Sequence, residues 1–233
     1  MAQTEQPTVP RHIGFIVDGN RRWARAHGLP TYEGHLAGYN QLKEVLLEVL
    51  AQGVRYASAY VFSTENWNRS KPEVEKLMGL FLRVLKDDVP IFIEHNVRLR
   101  VVGSRQNLSR KLSDAIDDAE AATKDLTGGE LILCLNYGGQ LEIVEAVKSL
   151  IASGASAADI TPELISQHLY APEVPPCDLI VRTSGEQRLS NFMLWRAAYS
   201  ELLFVDKNWP DMTKDDVHAI LAEYTNRNRR FGG

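Results

Sequence analysis

Apolar positions along the chain fall into two alternating patterns. Short continuous apolar runs bounded by turn residues predict strands buried on both faces, and apolar residues three and four apart predict helices. The runs are residues 12–17, 55–61, 97–102, 130–135, 179–181 and 201–205. Helical spacing joins Leu42, Val45, Leu46, Val49 and Leu50 within residues 34–52, and Gly53 supplies a stop. It returns at Val74, Leu77, Met78, Phe81, Leu82 and Leu85, with Pro72 near the start. Three further sets follow: Leu112, Ala115, Ile116 and Ala119; Ile143, Val144, Val147 and Leu150; Val217, Ile220, Leu221 and Tyr224. Thr161-Pro162-Glu163 opens a short helix. Strands alternating with helices predict a single α/β domain, with a central, mostly parallel sheet of about six strands flanked by helices on both faces. No repeat, low-complexity tract or long linker divides it. The organisation expected is a flexible N-terminus over residues 1–11 and one domain over residues 12–233.

Sheets of this kind bind ligands just beyond the carboxyl ends of their strands. Asp18, Ser63, Asn136 and Arg182 each follow an apolar run, so four polar clusters converge on one edge and predict one composite site. The densest is Arg182-Thr183-Ser184-Gly185-Glu186-Gln187-Arg188-Leu189-Ser190-Asn191-Phe192. Arginine offers a planar fork of donors that matches phosphate oxygens, and hydroxyls and a permissive glycine let the backbone close around the same anion. The stretch therefore predicts a phosphate cradle. Asp18 has two readings, a carboxylate holding magnesium or an Asx-turn residue shaping its loop. Arg22 and Arg25 are phosphate ligands or surface charges. His35, near a helix start, donates to a phosphate or caps the helix. Phe62 and Trp67 wall an apolar slot or pack the core. Arg69 is a weaker phosphate candidate. Glu201 is a second carboxylate near a metal, or the start of a strand.

Charge narrows the ligand class. The formal net charge is −4, so general nucleic-acid affinity is excluded, and an anion site must be a local concentration of arginine. The two cysteines, Cys134 and Cys177, lie in apolar runs and read as core residues in a reducing cytoplasm. Residues 1–10 are polar, without an apolar signal core, and no run approaches a membrane span. There is no P-loop, no G-x-G-x-x-G, no G-x-S-x-G elbow and no Cys/His set at metal spacing. The Asp-Asp pairs 87–88, 117–118 and 215–216 do not extend into the aspartate-rich repeat of trans-prenyl synthases. What remains is a magnesium- and arginine-dependent site for phosphorylated ligands beside long apolar helices.

The motifs Asp18-Gly19-Asn20-Arg21-Arg22-Trp23-Ala24, Gly34-His35, Phe62-Ser63-Thr64-Glu65-Asn66-Trp67, Asn136-Tyr137-Gly138-Gly139 and Arg182 through Phe192 together resemble the cis-prenyltransferase (undecaprenyl diphosphate synthase) family. Trp195, Tyr199-Ser200-Glu201-Leu202, Trp209-Pro210-Asp211 and Arg229-Arg230-Phe231-Gly232-Gly233 extend the likeness to the C-terminus. The resemblance implies a homodimer whose sheet and helices enclose an apolar tunnel. It implies an enzyme that adds isopentenyl diphosphate in Z configuration to an allylic diphosphate primer, giving a polyprenyl diphosphate for lipid-carrier synthesis. It implies peripheral membrane contact through that lipid. By resemblance, Asp18 holds Mg2+ and assists departure of the primer diphosphate, and Glu201 assists at the metal. Gly19, Asn20, Arg22 and His35 contact the primer's phosphates, and Arg21 and Trp23 belong to the same substrate-contacting motif. Arg182, Arg188 and Ser190 bind isopentenyl diphosphate. Asn66 acts near the reacting carbons, with Phe62, Ser63, Thr64, Trp67 and Arg69 around it. Arg230-Phe231-Gly232 reaches the partner's site.

This chain departs from the family where Thr31 replaces a frequent arginine, a loss that Arg21 offsets. Val61 replaces a frequent alanine, and the strand before Asn136 is slightly short. These departures point toward a shorter product. The alternatives are a short-chain or branched-product synthase, and a non-catalytic partner subunit.

Overall fold

Strands covered on both faces need apolar side chains nearly throughout, which is why continuous runs mark them so clearly. The computed structural model describes residues 9–227 of the chain. The chain opens with β1 (His12–Ile16), α1 (Asn20–Ala26), α2 (Thr31–Ala51) and β2 (Tyr56–Ser63). A 3-10 turn over Thr64–Asn68 leads into α3 (Lys71–Asp87), α4 (Val89–Glu94) and β3 (Val97–Val102). Then come α5 (Arg110–Thr123), β4 (Gly129–Tyr137), α6 (Gly139–Ala152), α7 (Pro162–Gln167), β5 (Leu179–Arg182), β6 (Glu201–Phe204) and α8 (Lys214–Thr225). The six strands form one sheet in the order β3-β4-β2-β1-β5-β6, and every pairing is parallel. This is the single α/β domain that the periodicity predicts.

Alternate strand residues feed two cores, as the pleat requires. Ile13, Phe15, Ala57, Ala59, Leu131, Leu133 and Val181 pack with the helical set from α2, α3, α5 and α8. Val45, Leu46 and Val49 of α2 are fully buried there, each contributing ~1.5–3 kcal/mol. On the other face Ile16, Tyr60, Ile132, Cys134 and Ile180 meet Val174, Cys177, Phe192 and Met193. The two faces are therefore covered unequally, the second largely by irregular chain between α7 and β6. Both cysteines are buried and unpaired.

Two details differ from the sequence pattern. In α6 the buried face is Gly139, Glu142, Ala146 and Leu150, whereas Val144, Val147 and Ile151 stand exposed. Glu142 takes the inward place because Tyr137 donates to it at 2.5 Å and Arg196 lies 3.8 Å away. Of the N-terminal stretch expected to be flexible, residues 1–8 lie outside the described residues. Arg11 already joins the fold, its backbone N–H donating to Asp178 Oδ2 at 2.9 Å.

Candidate active site

The carboxyl ends of β1, β2 and β5 surround one cavity of about 1100 Å³. Each end delivers polar groups for a local reason. β1 stops at Ile16, and Gly19 adopts φ +107°, a conformation glycine takes without strain. That turn aims the Gly19 N–H at Asp18 Oδ1, 2.7 Å away. α1 then packs on α2 so closely that a Cβ at Gly34 would lie 2.1 Å from the Asn20 carbonyl oxygen. The approach brings Asn20, Arg21, Arg22 and Arg25 to the rim beside His35. In β2 the pairing with β4 shifts between Tyr60 and Phe62, and this irregularity leaves both Tyr60 and Val61 lining the cavity. β5 ends at Arg182, and Ser184, Ser190 and Asn191 take positive φ in the loop that follows.

Asp18 and Arg182 form the centre. Arg182 donates through Nη2 to Asp18 Oδ2 at 2.8 Å, and through Nη1 to Ser190 Oγ at 2.8 Å and the Arg188 carbonyl at 2.6 Å. Thr183 Oγ accepts the Asp18 N–H at 3.0 Å and donates to the Asp18 carbonyl at 2.7 Å, locking β1 to β5 at the rim. Arg22 Nη2 lies 3.4 Å from Asp18 Oδ2. Burial pushes the Asp18 carboxyl pKa up, but the Arg182 bond, the Gly19 N–H and the Arg22 charge more than offset it and hold the pKa below the usual value. On the opposite wall His35 Nε2–H donates to Glu73 at 3.2 Å, and Arg69 donates to the same oxygen at 3.3 Å. Burial depresses the His35 pKa against the pull of Glu73, so the imidazole is neutral near pH 7. Asn66 closes its own turn, its Oδ1 accepting the Ser63 N–H at 3.2 Å.

Below the rim the walls are apolar: Leu42 from α2, Leu77, Leu80, Phe81 and Val84 from α3, and Leu133 from β4. The apolar set that marks α3 divides between cavity and core. Leu77 and Phe81 line the cavity, but Leu80 and Val84 complete the face and Val74 and Leu85 are core. Two buried polar atoms of rim residues, Arg182 Nε and Asn20 Oδ1, have no hydrogen-bond partner among the described residues.

Of the residues singled out from sequence, the cavity brings together Asp18, Gly19, Asn20, Arg21, Arg22, His35, Ser63, Asn66, Arg69, Arg182, Arg188 and Ser190. Six fall outside its lining. Trp23 turns away, donating to Asp211 at 2.7 Å and stacking on His27. Phe62 is fully buried behind the wall, edge-on to Trp67 and Phe81. Trp67 donates to Asn136 Oδ1 at 2.8 Å. Thr64 packs toward Gly138. Glu201 begins β6, and the register sets it beside Leu179 while Phe204 is beside Arg182. It is thus about 10 Å along the strand from the rim and pairs with Arg227 at 3.1 Å. Asn136 is likewise a brace, donating to the Ser104 and Gln106 carbonyls, both at 2.8 Å. Residues 229–233, including Arg230-Phe231-Gly232, lie outside the described residues. Sequence reasoning did not select Glu65, Glu186, Asn191 or Trp209 as site residues, although all four line the cavity.

A rim rich in guanidinium groups stands above an apolar chamber in one cavity, a combination suited to a ligand with an anionic head and an apolar tail. Residues 16–232 match the family model described as "Putative undecaprenyl diphosphate synthase". An isoprenyl transferase of Thermotoga maritima is 43% identical over 227 residues, covering 97% of each chain. One from Listeria innocua is 45% identical over 233 residues, 98% of this chain and 92% of the relative. The crystal structure of lavandulyl diphosphate synthase from Lavandula x intermedia, in complex with dimethylallyl diphosphate, superposes with a TM-score of 0.93 at 34% identity, covering 97% of this chain and 99% of that one. The chain belongs to the undecaprenyl diphosphate synthase family and is a prenyltransferase. Among the described residues no helix is long and apolar enough to cross a membrane.

Proposed function

We propose that this prenyltransferase condenses isopentenyl diphosphate with an allylic diphosphate primer such as farnesyl diphosphate, in Z configuration, to give a polyprenyl diphosphate for lipid-carrier synthesis. One observation carries the reading. The Asp18–Arg182–Ser190 rim and the Leu77–Leu80–Phe81–Val84 wall belong to the same cavity. Arg182, Arg188 and Ser190 bind the isopentenyl diphosphate, and Gly19, Asn20, Arg21, Arg22 and His35 bind the primer's diphosphate. Asn66, with Ser63 and Arg69, lies nearest the reacting carbons.

As the primer's carbon–oxygen bond breaks, negative charge grows on its diphosphate, and fixed guanidinium groups stabilise that charge most when it is largest. The isopentenyl double bond adds to the freed carbon, and transfer of a proton to the released diphosphate restores a double bond. Apolar walls keep water from the cation-like carbon. They also gain about 0.8 kcal/mol per methylene buried from the growing chain.

A divalent cation fits the donor set. Magnesium takes one or two carboxylates and completes its shell with phosphate oxygens and water, and Asp18 presents an ionised carboxylate beside the proposed phosphate positions. Asp18 would hold the ion, which supplies charge stabilisation on the leaving group. Among the described residues no group of three or more His, Cys, Asp or Glu is assembled for a metal, and Glu201 does not reach Asp18 within one chain. A homodimer is part of the reading, since exposed Val144, Val147 and Ile151 leave an apolar stripe on α6 for a second copy to cover.

A second reading, a short-chain or branched-product synthase, draws support from the close superposition on lavandulyl diphosphate synthase and from Val61 in the cavity lining. One experiment separates the two. Purified protein, magnesium and labelled isopentenyl diphosphate are supplied with dimethylallyl, geranyl, farnesyl or geranylgeranyl diphosphate, and products are chromatographed. Extended Z-prenyl diphosphates from farnesyl diphosphate support the first reading. Products only from dimethylallyl diphosphate support the second. No incorporation with any primer overturns both.

A further inference from the structure

Glu186 lies in the loop after β5, and its carboxylate is divided between arginines from two elements. Oε1 accepts from Arg22 Nη1 of α1 at 2.9 Å, and Oε2 accepts from Arg188 Nη1 of its own loop. All three side chains line the cavity. In the reading above, Arg22 belongs to the primer's diphosphate and Arg188 to the isopentenyl diphosphate. A carboxylate offers a guanidinium fork the same paired oxygens that a phosphate does. Glu186 therefore occupies one donor of each arginine assigned to a diphosphate position. The Arg188 hydrogen bond and charge, then Arg22, hold its carboxyl pKa below the usual value, so it is an anion at neutral pH.

We propose that Glu186 is a positioning residue that couples the two diphosphate positions: it stands in for both anions, and each ligand must displace it. This rests on the two-diphosphate reading. Detaching the carboxylate burdens whichever ligand arrives first, and the second then finds its arginine already released. Binding at the two positions is therefore mutually reinforcing, by the same factor in both directions. A plain structural prop behaves oppositely, because its loss loosens both arginines and weakens both ligands. The loop backbone does not depend on Glu186. Ser184 N–H donates to the Lys207 carbonyl at 2.8 Å, and Gly185 N–H donates to that of Val205 at 3.0 Å.

The test is calorimetric titration of the full chain with isopentenyl diphosphate and with the unreactive S-thiolodiphosphate analogue of farnesyl diphosphate, each alone and each with the other saturating. In the wild type each ligand is expected to tighten the other about fivefold, the lower range for coupled sites. In Glu186→Gln each ligand alone binds more tightly and the coupling factor falls to about one. Glu186→Asp, which keeps the charge, retains part of the coupling. Wild-type protein that binds both ligands without coupling overturns the proposal, as does a Gln variant that binds both more weakly with the factor unchanged. Wild-type protein that binds neither ligand defeats the two-diphosphate reading itself, and the coupling with it.

Discussion

β1 carries a polar cluster at each end, and comparing them separates framework from site. At the amino end the His12 Nδ1–H donates to the Pro175 carbonyl at 2.9 Å, and Ser58 donates to His12 Nε2 at 2.7 Å. The backbone N–H groups of Arg11 and His12 both donate to Asp178 at 2.9 and 3.0 Å. His12 and Ser58 are fully buried and mutually satisfied. At the carboxyl end Asp18, Thr183 and Arg182 use the same kinds of contact, but the lining there holds six arginines against three carboxylates. In a chain of net charge −4 that local excess marks a place for anions. Arg182 Nε and Asn20 Oδ1 are also buried at that end without partners among the described residues. Closed networks hold a fold together, whereas a cavity with cations in excess suits an anionic ligand.

The largest expected effect falls on the open end. Asp18→Ala is expected to lower kcat by on the order of 10²–10³ while isopentenyl diphosphate still binds. Single-turnover kinetics with labelled substrate check it, and an unchanged rate would remove Asp18 from the chemistry. The closed end should answer to pH. Burial pushes the His12 pKa down to about 4 from an ordinary 6.5. Between those values the unfolded chain binds the extra proton, so stability rises with pH. The His12 contribution is complete above the ordinary value and is lost as pH falls toward about 4, roughly 3 kcal/mol in all. Urea midpoints for wild type and His12→Asn should diverge most at neutral pH and converge on acidification. Parallel curves would contradict the assignment, as would an imidazole NMR signal titrating above about pH 6.

Smaller effects sharpen the boundary between site and frame. Trp67→Phe should cost about 1–3 kcal/mol in thermal unfolding, because Asn136 Oδ1 is left buried and unpaired. KM for both substrates should hold. A large rise in KM with stability intact would return Trp67 to the site. Trp23→Phe, which loses one exposed bond to Asp211, should change KM and stability least, within about 0.5 kcal/mol.

The same contrast explains what the sequence disclosed. Six strands were legible because β1, β2, β4 and β5 are buried on both faces and need unbroken apolar runs. The amphipathic α3 and α5 were equally plain. α1 was not, since only Ala24 of its seven residues is buried and three are arginines that serve the rim. α4 is six residues with a proline, too short to show a period. α6 was found as a helix but turned the wrong way, because its inward face is held by Glu142 pairing with Arg196, a contact that no hydropathy pattern encodes. Among the candidate residues, those at or just beyond the carboxyl ends of strands reach the cavity, as Asp18, Ser63 and Arg182 do. Glu201 was not, because a residue that opens a parallel strand lies at the opposite edge from one that closes it. The aromatics Phe62, Trp67 and Trp23 share motifs with site residues but serve the scaffold behind them.

The most direct test of the central claim is binding stoichiometry at the rim. Isopentenyl diphosphate and the unreactive farnesyl analogue are titrated together into wild-type protein and Arg182→Gln with magnesium present. One of each is expected to bind per wild-type chain simultaneously, and the variant should lose isopentenyl diphosphate affinity far more than analogue affinity. Mutually exclusive binding of the two, or an Arg182 variant that binds both as the wild type does, would contradict a common rim that gathers two diphosphate heads.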